Sequence, residues 1–199
     1  MKNIGLYLHI PFCKTKCPYC DFYSVRGDES DRDMYTVSLI ETMENWADKL
    51  CRKADTLYFG GGTPSVLGGE NIAMLTRRAK NLFGVDGEIT VECNPSAIDE
   101  DFFETVAGAG VNRISLGVQS VIENERKKLG RFSDRELIEK RIEQSHSAGI
   151  KNISLDVMLG VQDQTIKSLE ETLDFCINSG ATHISAYMLK IEEGTPYYK

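Results

Sequence analysis

The sequence predicts an α/β fold built on a parallel sheet, on three observations. Six short runs rich in Ile, Val, Leu and Tyr recur along the chain. Longer amphipathic stretches separate them, and glycines punctuate the ends of two of those stretches. Several of the apolar runs show little polar alternation, as expected for strands buried on both faces of a parallel sheet.

The elements follow in order. Ile4–Ile10 is the first strand, followed by a helix over Asp33–Leu50 and a second strand over Asp55–Phe59. A helix at Gly69–Phe83 leads to the strand Glu88–Cys93, and a helix at Asp99–Ala109 leads to Asn112–Val118. The next helix spans Ser133–Ala148, with Ser133 and Glu136 spaced as a capping box. Strand Asn152–Met158, helix Thr165–Ser179 and strand His183–Leu189 complete the series. Gly149 and Gly180 are the stop signals of the last two helices. With right-handed crossovers, six such units make either an open doubly wound sheet or a curved partial barrel, and pattern alone leaves both open. No Pro- or Ser-rich tract divides the chain, so residues 1–199 are expected to form one domain. After the sixth strand come only Glu192 to Lys199. The chain is therefore expected to stop mid-architecture, without its last helix and with apolar surface exposed there.

Composition narrows the function classes. The 199 residues carry 23 Lys and Arg against 30 Asp and Glu, a net charge of −7 that argues against nucleic acid as a partner. No apolar run approaches the roughly 20 residues of a membrane span. The N-terminus lacks the apolar segment and cleavage site of a signal peptide, so the expected address is the cytoplasm. There, six cysteines read as metal ligands or core residues before they read as disulfides. Cys51, Cys93 and Cys176 are scattered singly and read as small buried hydrophobes. Cys13, Cys17 and Cys20 are crowded into eight residues and need another explanation.

Functional groups of parallel α/β folds collect at the carboxyl ends of strands. Those ends carry the three cysteines, then Gly60-Gly61-Gly62-Thr63-Pro64, then Glu92-Cys93-Asn94-Pro95, then Gly117-Val118-Gln119-Ser120. Asp156 lies in the otherwise apolar fifth strand. A C-x3-C-x2-C loop can grip three corners of a cubane iron–sulfur cluster and leave one iron open. His9 with the same cysteines would instead make a Cys3His zinc site, and spacing leaves the two open. The glycine triplet suits either a tight strand-to-helix turn or close backbone approach to a polar ligand. A triphosphate is disfavoured, because no P-loop Lys-Ser or Lys-Thr follows. Glu92 and Asp156 are costly in apolar strands unless paired, and Arg113 and Arg131 are the candidate partners.

The C-x3-C-x2-C motif after Tyr7-Leu8-His9-Ile10-Pro11-Phe12 resembles the radical S-adenosylmethionine (SAM) superfamily. Within it the chain is similar to the oxygen-independent coproporphyrinogen III oxidases and their haem-chaperone relatives. The triplet with Thr63-Pro64, Glu92-x-Asn94-Pro95, Ser115 to Ser120, Leu129-Gly130-Arg131 and Leu155-Asp156 match in the same order, so the resemblance covers essentially the whole chain. It implies the curved reading, a partial (β/α)6 barrel, with a further C-terminal domain missing here. It further implies that Cys13, Cys17 and Cys20 hold a 4Fe–4S cluster whose fourth iron binds SAM. Tyr7 and Tyr19 would flank cluster and cofactor. Gly61, Gly62 and Thr63 would face the methionine end, and Glu92, Gln119, Arg131 and Asp156 would make polar contacts to SAM. A flavodoxin- or ferredoxin-type electron donor and haem or a porphyrinogen are the implied partners.

The chain departs from the pattern at Gln162, where relatives carry proline, and at Phe132-Ser133, where a histidine is often found. The oxidases extend the motif to a fourth cysteine, whereas Phe22 stands there in this chain. That resembles the haem-chaperone branch. Haem delivery is thus the expected role, with oxidative decarboxylation of coproporphyrinogen III and a zinc-stabilised, non-redox binding module as the alternatives.

Overall fold

The computed structural model describes residues 3–198. Its strands are β1 (Ile4–Ile10), β2 (Ala54–Gly61), β3 (Ile89–Cys93), β4 (Arg113–Gln119), β5 (Asn152–Leu159) and β6 (His183–Met188). They form one sheet in the order β1-β2-β3-β4-β5-β6, and every neighbouring pair is parallel. The order never reverses. A doubly wound sheet reverses once to place helices on both faces; a sequential order keeps all crossovers on one side and curls the sheet. The fold is therefore the partial, open (β/α)6 barrel, with β1 and β6 as its free edges.

The helices are α1 (Glu29–Leu50), α2 (Gly69–Phe83), α3 (Phe102–Ala109), α4 (Glu123–Lys128), α5 (Arg135–Ser147) and α6 (Ile166–Asn178). Helix α1 starts four residues before the expected Asp33. Asp28 caps it, accepting from Asp31 N while the Asp31 carboxylate accepts from Asp28 N. Helix α3 starts at Phe102, after a short 3-10 turn at Pro95–Ala97, rather than at Asp99. The expected Ser133–Glu136 box does not form. Asp134 is the N-cap of α5, its carboxylate accepting from Leu137 N at 2.8 Å, and Ser133 is buried. Gly149 and Gly180 adopt the left-handed backbone that closes α5 and α6.

Burial on both faces holds in the middle of the sheet, where Thr90, Ser115 and Ser154 are buried, but the second face is polar rather than apolar, and that difference locates the site. Leu8, Ile10, Leu57, Phe59, Ile89, Val91, Ile114, Leu116, Ile153 and Leu155 form the buried layer with Ile72, Leu75, Phe103, Val106 and Ile138 from the helices. Each fully buried Leu, Ile or Phe there stabilises by about 1.5–3 kcal/mol. The intervening positions are polar. Registers set Tyr7 beside Tyr58 and Tyr58 beside Thr90 in one row, and Glu92 beside Ser115 and Ser115 beside Ser154 in a second, both across the other face. Strand β6 is different again: Tyr187 and Met188 are exposed, and among the described residues only a short 3-10 turn at Pro196–Tyr198, and no α-helix, follows it.

Candidate functional site

The loops at the carboxyl ends of β1 and β2 are stitched together through their backbones. Phe12 bridges Val25, with Val25 N donating to Pro11 O at 2.8 Å and Cys13 N to Val25 O at 3.0 Å, so the cysteine loop is pinned at its base. Gly62 N then donates to Ile10 O and Thr63 N to Phe12 O, both at 2.8 Å. A Cβ on Gly62 would lie 2.8 Å from Phe12 O and 3.1 Å from Cys13 Sγ, so only glycine fits. Gly61 has φ +119, and a Cβ there would strike the His9 ring at 2.6 Å. The triplet is thus a close approach of backbone to the cysteine loop.

All three clustered cysteines line one cleft of about 430 Å3, together with Tyr19, Gly61, Gly62, Thr63, Glu92, Gln119, Arg131 and Asp156. Cys13 Sγ lies 3.4 Å from Thr63 Oγ1. Burial raises the Cys20 thiol above its ordinary pKa, and the nearby Cys17 and Cys13 add to the effect. Tyr7 is the one expected site residue that does not line the cleft. It is exposed, its hydroxyl 3.2 Å from His9 Nδ1 and its ring stacked on Tyr58 at 6.1 Å. His9 therefore faces Tyr7 and Gly61. Among the described residues no group of three His, Cys, Asp or Glu side chains is arranged to hold a single metal ion.

The carboxylates are not ion-paired as expected. Glu92 accepts from Tyr58 Oη at 2.7 Å and from Gly61 N at 3.2 Å. Asp156 accepts from Ser115 Oγ at 3.0 Å. Arg113 stands instead near Glu88, at 3.9 Å, and Arg131 donates to Tyr19 Oη at 3.2 Å. Burial pushes Asp156 up to about 6, and Glu92 adds to the effect, against the lowering hydrogen bond from Ser115. Burial likewise pushes the Tyr19 hydroxyl up to about 12, with Arg131 opposing.

Gln119 ends β4 with φ +65, at a register shift against β5. A Cβ on Gly117 would lie 3.0 Å from Gln119 Nε2 and 3.8 Å from Arg131 Nη1, so both side chains reach over a bare strand end. Gln119 Oε1 and Arg131 Nε are buried without a partner. An unpaired buried polar atom costs about 1–3 kcal/mol, so these two ask for a polar ligand. Three soft thiols, a backbone cradle and orphaned amide and guanidinium atoms in one cleft fit a sulfur-rich cluster beside a zwitterionic small molecule. Sequence reasoning missed Tyr58 and Ser115 as site residues. Their signal was the two-residue period that sets them on the same face as Glu92 and Asp156.

A model of the radical SAM superfamily matches residues 7–176. The chain belongs to this superfamily. Heme chaperone HemW of Escherichia coli (strain K12) is 38% identical over 197 residues, which is 96% of this chain and 52% of that protein. Heme chaperone HemW of Bacillus subtilis (strain 168) is 33% identical over 196 residues, again 96% of this chain and 52% of the relative. The chain thus spans about half the length of the curated relatives it matches. Coproporphyrinogen III oxidase (HemN) from Escherichia coli superposes with a TM-score of 0.87 at 26% identity, covering 94% of this chain and 44% of that one. Streptococcus suis SuiB bound to S-adenosylmethionine shares the fold, with a TM-score of 0.68 at 18% identity, covering 98% of this chain and 43% of that one. The radical SAM core therefore accounts for the sequential sheet and for the open barrel.

Proposed function

We propose that this chain is the core of a radical SAM protein of the haem-chaperone type, binding a 4Fe–4S cluster through Cys13, Cys17 and Cys20. The observation that carries the reading is the convergence of those thiols on one cleft with the glycine cradle and the unpartnered Gln119 and Arg131. Bound there, a reduced cluster supplies one electron for the cleavage of SAM; a flavodoxin- or ferredoxin-type protein is the donor we infer.

The chain's own residues bind and orient. Gly61 and Gly62 let backbone approach the methionine end, with Thr63 beside Cys13. Arg131 offers its fork to a carboxylate. Gln119 Oε1 accepts from a ligand donor, Glu92 accepts from an ammonium or hydroxyl group, and Asp156 accepts from ribose hydroxyls. Tyr58 and Ser115 hold those two carboxylates in place, and Tyr19 braces Arg131. Tyr7 supports Glu92 at one remove through Tyr58.

Haem delivery is favoured over decarboxylation of coproporphyrinogen III, because Phe22 occupies the position of the oxidases' extra thiol. A reducing, cytoplasmic setting suits the thiol-rich loop, and no helix among the described residues is long and apolar enough to cross a membrane. Anaerobic reconstitution with iron and sulfide tests the core reading. A reducible cluster whose EPR signal shifts on adding SAM is expected in the parent and absent in Cys17→Ala. A stable zinc site with no reducible cluster would instead establish the non-redox binding module. For a full-length protein carrying this chain, haem binding without SAM-dependent conversion of coproporphyrinogen III is expected; accumulation of protoporphyrinogen would reverse the choice.

A further inference from the structure

Helix α4, Glu123–Lys128, contains no apolar residue, and the two side chains it buries are Glu125 and Arg126. Apolar burial therefore cannot anchor it, yet it immediately precedes the turn that carries Arg131. Glu125 is only 3% exposed. Its carboxylate accepts from Ser120 Oγ at 2.7 Å, from Gln164 Nε2 at 3.1 Å and from Ser168 Oγ at 2.5 Å. All three donors are neutral groups, so a buried carboxylate is held by hydrogen bonds from two segments, Ser120 after β4 and Gln164 with Ser168 after β5.

Each segment leads to the cleft. Ser120 follows Gln119, whose left-handed backbone persists only if its surroundings fix it. Gln164 also donates to Met158 O at 3.1 Å and accepts from Gly160 N at 2.7 Å, which ties the hub to the strand end just past Asp156. On the C-terminal side, Leu129 N donates to Glu125 O and Arg131 N to Arg126 O, at 3.0 and 2.8 Å. Arg126 Nη1 returns to Val121 O, closing the loop on itself.

We propose that Glu125 is a positioning residue for SAM: its buried carboxylate joins the β4 and β5 loops and thereby sets where Gln119 and Arg131 stand. The assignment rests on the SAM-binding reading above. Glu125 touches no ligand; it acts through the segment from Gln119 to Arg131.

The test is SAM titration of the cluster-reconstituted protein under anaerobic conditions, with iron and sulfide content measured in the same samples. Glu125→Ala should retain its cluster and bind SAM roughly tenfold more weakly, since a hub donor set is left unsatisfied. Glu125→Gln keeps an acceptor and should restore binding to within about threefold. Ile138→Val, in the core away from the cleft, serves as a matched destabilised control that lowers the melting temperature and leaves SAM affinity unchanged. If the parent binds SAM and Glu125→Ala binds it equally well, the proposal is wrong and the residue is only a structural clamp. If the parent itself fails to bind SAM, the functional reading falls and takes the proposal with it. Should Glu125→Ala not fold, Gln164→Ala cuts the same link to Met158. It too should weaken SAM binding several-fold, and unchanged affinity there overturns the proposal.

Discussion

The two walls of the cleft are built by different means. On the β1–β2 side the contacts are backbone to backbone: Gly62 N to Ile10 O, Thr63 N to Phe12 O, and a glycine triplet with no room for a methyl group. On the β4–β5 side they are side chain to side chain: Tyr19 with Arg131, Ser115 with Asp156, and Glu125 with Ser120, Gln164 and Ser168. A wall made of backbone has fixed geometry and tolerates almost no substitution, because a peptide cannot rotate out of the way. One made of side chains is adjustable, and its losses are graded and partly rescued by isosteres. Cys13 sits on the first, beside Thr63; Cys17 and Cys20 flank Tyr19 and reach the second, where the orphaned Gln119 and Arg131 have a flexible ligand to meet.

Substitutions sharpen or break that contrast. The largest effect is expected for Gly62→Ala, whose new Cβ would meet Phe12 O at 2.8 Å. Overpacking against backbone should cost about 1–3 kcal/mol of stability and prevent cluster reconstitution. Thermal melting together with iron analysis checks it; a normal cluster in Gly62→Ala would erase the distinction between the walls. Glu92, on β3 between the walls, takes one bond from a backbone group, Gly61 N, and one from a side chain, Tyr58 Oη, both on β2. Glu92→Gln should therefore keep the cluster and weaken SAM roughly tenfold in an equilibrium titration, the loss of one charged hydrogen-bond acceptor. Unchanged affinity would return Glu92 to a purely structural part.

The side-chain wall also predicts a pH dependence. Asp156 is raised from 3.8 to about 6 in the folded chain, so between those values the native state binds more protons than the unfolded one. Its contribution to stability is then fully present below about 4, declines as pH rises through about 6, and is absent above. The span is at most about 3 kcal/mol. Asp156→Asn should flatten this part of the profile in denaturant titrations at pH 5 and 7.5; an unaltered slope would contradict the cause given. The smallest effect belongs to Cys51→Ala: unlike Cys93 and Cys176, and against the buried setting expected for it, Cys51 is exposed as the C-cap of α1, far from either wall. Cluster content should be unchanged and stability should move by no more than about 0.5 kcal/mol.

The sequence was legible where local rules hold. The six strands, the glycine stops and the C-x3-C-x2-C loop follow from apolar runs, left-handed caps and ligand spacing, each confined to a few neighbouring residues. The capping of α5 was off by one residue because Ser133 and Asp134 are both good N-caps, and burial of Ser133 decided between them. Helix α4 was missed because it has no apolar stripe to read. Its anchor is Glu125, whose partners lie 5, 39 and 43 residues away.

By itself the sequence determined the six strands, five of the six helices, the parallel α/β class and the set of residues able to do the chemistry, since propensity, period and ligand type are local properties of the chain. Tertiary structure alone decided that the strands follow one another without reversal, and so that one sheet face stays polar. It also decided that Arg131 pairs with Tyr19 rather than with a carboxylate, that Tyr7 stands behind Tyr58, and that a buried glutamate ties the site's loops together. Those outcomes depend on which distant segments share a face and on how much water is excluded between them, and no window of neighbouring residues carries that information.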